Sequence, residues 1–242
     1  MEFSEAQLQS VGDQIASWLN WLTEKVNGLG ALAQQAIDRL PAAWQNVKDA
    51  IARVVRQIIQ ALTDFLKKAA NWATELAVPV RCWKRSRVWE QVIGQASAIA
   101  GELRPELLGT AQHWPGTASA TYVASIKPQA DAAQRVSSTA EKASGNLVLA
   151  AAAGLVFYSV LLGALVNLAG SMGLLPEALF TGPAAPVTLE AILAAMWAFI
   201  KVAGAAAGTL EVALYKLSRE LDIELLKVDG FEHGDWPVPR VA

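Results

Sequence analysis

The chain has 242 residues, 53% of them apolar and 7% aromatic, with nine tryptophans, one cysteine and a formal net charge of −2. That length allows one large domain or two small ones, either with a real core. The near-neutral balance supplies no global field for nucleic acid, which is excluded as a partner, and the lone Cys82 forbids an intramolecular disulfide.

The apolar excess is alanine, leucine and valine, with few Pro or Gly inside the periodic stretches, so the expected class is all-α. The opening Met1 to Glu5 lacks a basic region and an apolar core, so no classical signal peptide is expected. Leu8, Val11, Ile15, Trp18, Leu22, Val26 and Leu29 then step by three and four along one helix face. Asn27 to Gly30 should loosen that helix, and a short helical stretch should end at Pro41, which suits the first turn of the next helix. The second stripe runs Trp44, Val47, Ile51, Val54, Ile58, Leu62, Phe65, Ala69, Trp72 and Leu76, stopping at Val78-Pro79. Neither helix can bury its stripe alone, so an antiparallel pairing over residues 1–78 is expected.

The connector from Val78 to Trp83 leads into a basic knot, Arg81, Lys84, Arg85 and Arg87 around Trp83. The C-terminal end is acidic: Glu220, Asp222, Glu224, Asp229, Glu232 and Asp235. The preferred reading is two solvated patches that face one another; the alternative is contact of the knot with anionic lipid headgroups. A helix whose face is Val88, Val92, Ala96, Ile99, Leu103 and Leu107 comes next, and then another whose face is Tyr122, Ile126, Ala133, Val136, Ala140 and Leu147. Pro105 should dent the first and Pro128 kink the second.

Between them lies a reversal, His113-Trp114-Pro115-Gly116-Thr117. Gly116 suits a positive φ that closes one helix, Pro115 restricts His113 and Trp114, and Thr117 or Ser119 is placed to cap the next helix. Trp114, Pro115 and Gly116 with the adjoining Thr117 to Tyr122 resemble the Trp-X-Gly turn of the WXG (ESAT-like) family of type VII secretion proteins; the likeness spans roughly Ser86 to Ala150. The other reading of Trp114 is a packing anchor at any helix reversal. The resemblance implies helical subunits that pair with themselves or a related subunit and leave the cell through the type VII machine, with a secretion ATPase or chaperone as escort. It also implies an export signal of Tyr followed four residues later by Asp or Glu. Tyr122, Tyr158 and Tyr215 are followed at that distance by Ile126, Leu162 and Arg219, so a partner is left to supply the signal.

At Gly145 the character changes. Leu147 to Gly170 is apolar except for Tyr158, Ser159 and Asn167, long enough to cross a hydrocarbon core of roughly 30 Å. A break is expected at Ser171-Met172-Gly173, and a turn at Thr181 to Pro186. A last helix from about Val187 to Lys227 carries the stripe Leu189, Leu193, Met196, Ile200, Ala203, Ala207, Leu210, Leu214, Leu217, Leu221 and Leu225. Gly154, Gly163, Gly204 and Gly208 are the positions for close helix approach, in protein or in a membrane. Lys127, Arg135 and Lys142 before this region, and Lys216 and Arg219 after it, suit a spanning hairpin with both ends cytoplasmic; Glu190, Lys201 and Glu211 within it oppose lipid. A buried core is the preferred reading, with a membrane hairpin as the alternative and a bundle that hides the hairpin until it meets a membrane as a third.

The expected architecture is an elongated antiparallel bundle of about five long helices built from hairpins: 1–78, 86–146 and 147–228, with 229–242 an extended tail. His113 and His233 share no helix face, and Glu232-His233-Gly234-Asp235 is an isolated tail motif without outer support, so no metal is expected. No phosphate-cradling loop, nucleophile elbow or paired-cysteine motif occurs, so neither catalysis nor a cofactor is expected. The function expected is a secreted or surface-exposed helical substrate or substrate partner, the alternative being a membrane-inserting or pore-forming protein that uses residues 147–215.

Overall fold

The computed structural model describes residues 5–104, 106–107, 109, 113, 116–227, 231 and 235–237. The protein is all-α. Its long helices are α1 (Glu5–Asp38), α2 (Gln45–Thr74), α3 (Ala77–Glu102), α4 (Thr117–Leu179) and α5 (Ala185–Leu225). The described residues group into two compact units. Unit 1 comprises residues 1–80 and 153–211, and unit 2 comprises 81–152 and 212–242.

Unit 1 is a bundle of two hairpins. Pro41 and a 3-10 turn over Ala42–Trp44 reverse the chain between α1 and α2, which pack along one another. A side chain at Gly12, near the start of α1, would meet Leu76 just past the end of α2, so the two run antiparallel. The second hairpin is the later part of α4 with the earlier part of α5, reversed by Gly182 at φ +68° and a 3-10 turn over Gly182–Ala184. Both reversals lie at the same end: the Arg39 guanidinium sits 4.8 Å over the Phe180 ring, and Trp44 comes up to Gly182. At the other end the Tyr158 hydroxyl donates to the Trp72 carbonyl at 2.9 Å. Between these ends, Ile15, Leu22, Ile51, Ile58, Leu62, Leu161, Leu165, Leu168, Leu175 and Leu189 are fully buried in one apolar core.

Several expected breaks are absent. α1 runs straight through Gly28 and Gly30, because Val26, Leu29, Ala33 and Ala36 stay buried on its core face. Burying that run offsets the roughly 1 kcal/mol that each glycine costs a helix. α4 continues through Ser171 to Gly173 for the same reason, with Leu168, Met172, Leu175 and Leu179 buried in sequence, and the same helix carries the change of character at Gly145. Val78-Pro79 is not a connector; it lies in the first turn of α3, where a missing N–H has no helical acceptor to lose. α4 also runs through Pro128 without interruption.

Unit 2 holds the rest of α3, the first part of α4 and the end of α5. The Ser144 hydroxyl donates to the Ser86 carbonyl at 3.2 Å, while the Ser97 and Ser137 hydroxyls lie 2.7 Å apart, so α3 and α4 are antiparallel. The amide of Asn146 donates to the Leu217 carbonyl at 3.1 Å, and Arg135 Nη2 to the Glu224 carbonyl at 3.0 Å, so α4 and α5 are antiparallel as well. The core here is made mostly of small side chains, Ser86, Ala96, Ala100, Ala132, Ala133, Ser137, Ala140, Ala143 and Ser144, with Ile126 as a larger buried side chain. This corrects the expected faces in part: Ala96, Ile126, Ala133 and Ala140 are buried as expected, whereas Val88, Ile99, Leu107 and Tyr122 stand exposed, because alanines and hydrogen-bonded serines let the backbones approach closely.

Candidate functional site

Trp114 and Pro115 of the reversal lie outside the described residues. Gly116 has φ +124°, a conformation that favours glycine, and its carbonyl accepts the Ala120 N–H in the first turn of α4. That bond is the first of α4, so Gly116 stands immediately before the second arm with the positive φ expected of it. The His113 ring lies within hydrogen-bond distance, 3.0 Å, of the Gly109 carbonyl.

Arg81, Lys84, Arg85 and Arg87 all occupy the first turns of α3 with exposed side chains. Arg87 pairs with Glu90 at 2.9 Å and lies 5.4 Å over the Trp83 ring, so part of the knot is spent locally. Cys82, half-buried beside it, has its thiol pushed up by burial, with Arg81 pulling more weakly the other way. Alkylation of Cys82 at neutral pH is accordingly expected to run several-fold slower than that of a free cysteine, because less of it is thiolate. A rate equal to that of a free thiol would contradict this.

The acidic end is not simply a solvated patch. Glu224 is only 3% exposed and is gripped by three cations. Lys227 Nζ lies 3.0 Å from Oε2, Lys142 Nζ donates to the same oxygen, and Arg135 Nη1 forms an ion pair with Oε1. The hydrogen bonds from Lys142 and Lys227, with help from Arg135, outweigh desolvation and hold the carboxyl down at about 2. Arg135 also caps the C-terminal end of α5, since its Nη2 donates to the Glu224 carbonyl. Arg135 and Lys142 stand two turns apart on one face of α4, a spacing visible in the sequence but read there as a membrane flank. Of the tail motif, Glu232, His233 and Gly234 lie outside the described residues.

The four glycines divide. At Gly154 a Cβ would run into the Pro79 ring, so the glycine there is what lets α4 lie against the start of α3 within unit 1. Gly163, Gly204 and Gly208 have open space above them and are exposed.

Those three glycines belong to a larger surface. In unit 1, no large apolar side chain of α1 or α2 stands exposed among the described residues, whereas Val156, Val166, Leu174, Val187, Trp197 and Val202 do so on α4 and α5. Charges on that stretch of the second hairpin reduce to Glu177, Glu190, Lys201 and Glu211. Both α4 and the segment Gly182–Leu225 are long and apolar enough to cross a membrane, yet only 33% and 17% of their most apolar windows are buried. The core helix of a soluble domain would be mostly covered, so this hairpin has one face in the bundle and another still bare.

The arrangement defines a class: a helical protein whose distinguishing surface is an uncovered apolar helix face. No family model, curated protein or solved structure matches the chain.

Proposed function

We propose that the protein works without catalysis, through helix–helix assembly, as a substrate or substrate partner in a type VII-like secretion pathway. One observation supports assembly above all: the outward face of the α4–α5 hairpin in unit 1 is apolar and bare while that of α1–α2 is polar. Contiguous exposed apolar surface marks an interaction site, and burying it is worth roughly 25 cal/mol per Å². The pathway is supported by two antiparallel arms, α3 and α4, with Gly116 in a glycine-favouring conformation immediately before the second arm. Under this reading the protein reaches the surface or the medium by a non-classical route, paired with a second copy or a related helical subunit and escorted by a secretion ATPase or chaperone.

Light scattering on protein purified without detergent tests the assembly. A particle of two or more chains is expected, and a lone chain of 25.8 kDa ends the reading. Replacing Trp114 by alanine is expected to weaken partner assembly or export by about tenfold or more, as loss of a buried tryptophan anchor does. If neither export from the producing cell nor partner capture changes, Trp114 is a local packing residue and the pathway assignment falls.

A second reading is favoured by the poorly buried apolar windows of α4 and α5: insertion of this hairpin into a membrane. Lys201 on the exposed side of α5 opposes it, because a lysine near a bilayer centre costs several kcal/mol unless it is neutralised. Membrane association in the producing cell that resists carbonate extraction would move the conclusion to this second reading.

A further inference from the structure

The bare face of α5 within unit 1 is not uniformly apolar, and its exceptions are arranged. Val187, Glu190, Ala194, Trp197, Lys201, Gly204 and Gly208 step by three and four and are all exposed, so they form one stripe. Glu190 and Lys201 are about three turns apart, some 16 Å along the axis, and lie on the same side of the helix. Among the described residues, neither has an ion-pair partner within the chain.

We infer that this stripe is the contact for a second copy of the chain, with the two α5 helices antiparallel about a two-fold axis between Ala195 and Met196. The inference rests on the assembly reading and names its partner and register. With the axis there, Glu190 faces Lys201 of the second copy, and the symmetry repeats the pair. The same register sets Trp197 opposite Ala194 and Val187 opposite Gly204. Each bulky side chain meets a small one, and each charge meets its opposite, which is what a self-complementary two-fold interface requires. A parallel pairing fails on both counts, since it opposes Glu190 to Glu190 and Lys201 to Lys201. Gly204, which has open space above it in the chain's own packing, leaves room for Val187 of the second copy.

Charge reversal tests the register. Glu190→Lys or Lys201→Glu alone places like charges opposite one another twice, and is expected to raise the dimer dissociation constant at least about tenfold. The double reversal, Glu190→Lys with Lys201→Glu, should restore it to within about threefold. Both positions are exposed, and far-UV circular dichroism checks that each variant remains helical. As an independent readout in a Cys82→Ser background, an equimolar mixture of Ala194→Cys and Trp197→Cys proteins should form an intermolecular disulfide that neither forms alone. An oligomeric parent whose mass and dissociation constant ignore the single reversals overturns this register while leaving assembly intact. A parent that is a single chain without detergent overturns both. Flotation of the parent on neutral phosphatidylcholine vesicles as single chains shows lipid covering the face, and overturns the second copy as its occupant.

Discussion

Replacing Phe157 by alanine is expected to destabilise unit 1 by about 3–5 kcal/mol, the cost of deleting a buried aromatic and leaving a cavity. Phe157 is 4% exposed and forms an edge-to-face pair with Trp72 at 5.5 Å, while Trp72 pairs with Phe65 at 6.5 Å. It also meets its neighbour Tyr158 at 5.0 Å. The cluster joins α2 to α4, so its loss removes both apolar area and the favoured ring geometry. Tyr158→Phe provides the contrast. It keeps the ring and deletes only the hydrogen bond to Trp72, and should cost about 1 kcal/mol. Urea unfolding of the full chain, followed by tryptophan fluorescence, measures both. Equal losses for the two variants would show that the hydroxyl, not the ring packing, joins the helices.

Acid is expected to loosen unit 2 through Glu224. Its carboxyl is held at about 2 in the folded protein, below the ordinary carboxylate value of 4.5. The unfolded chain therefore binds this proton more readily than the folded one, so the contribution to stability is fully present above pH 4.5 and is lost as pH falls toward 2. Hydrogen-exchange protection over residues 212–225, measured against the intrinsic amide rate at each pH, should fall across that window in the parent protein. In Glu224→Gln the exchange should already be faster at neutral pH and should lose most of this acid dependence. An unchanged profile in the variant would mean that Arg135, Lys142 and Lys227 do not fasten α5 through this carboxylate.

Much of unit 1 is legible in the sequence. The stripe from Leu8 to Leu29 and the one from Ile51 to Ala69 lie on core faces, because large apolar residues at helical spacing have only one low-energy destination in water. Helix ends are harder. Gly28, Gly30 and Gly173 all read as interruptions, yet burial of neighbouring core residues holds the helix through each. Pro79 misleads in the opposite direction, since whether a proline breaks or begins a helix depends on where the first turn starts. Unit 2 is least legible, because much of its packing is by serine and alanine, which carry little periodic signal, while Val88 and Ile99 face outward. Sequence alone does not separate Glu224 from the other acids around it, as only the third dimension brings Arg135 and Lys142 to it. Of the Trp114-Pro115-Gly116 turn, only Gly116 falls among the described residues, so the structure speaks to its backbone and not to Trp114.

The seating of Pro79 against Gly154 bears on the order in which the molecule is made. Residues 81–152 leave unit 1 just after that proline and return just before that glycine. Drawing the ends of so long a loop together costs about 4 kcal/mol of chain entropy, so the two hairpins of unit 1 meet late, after each has formed from nearby contacts. On the ribosome the leucine and isoleucine stripe of α1–α2 is finished well before its cover has been synthesised. During that interval a nascent chain exposes the very surface that holdase chaperones bind, and shortening the excursion would shorten the exposure.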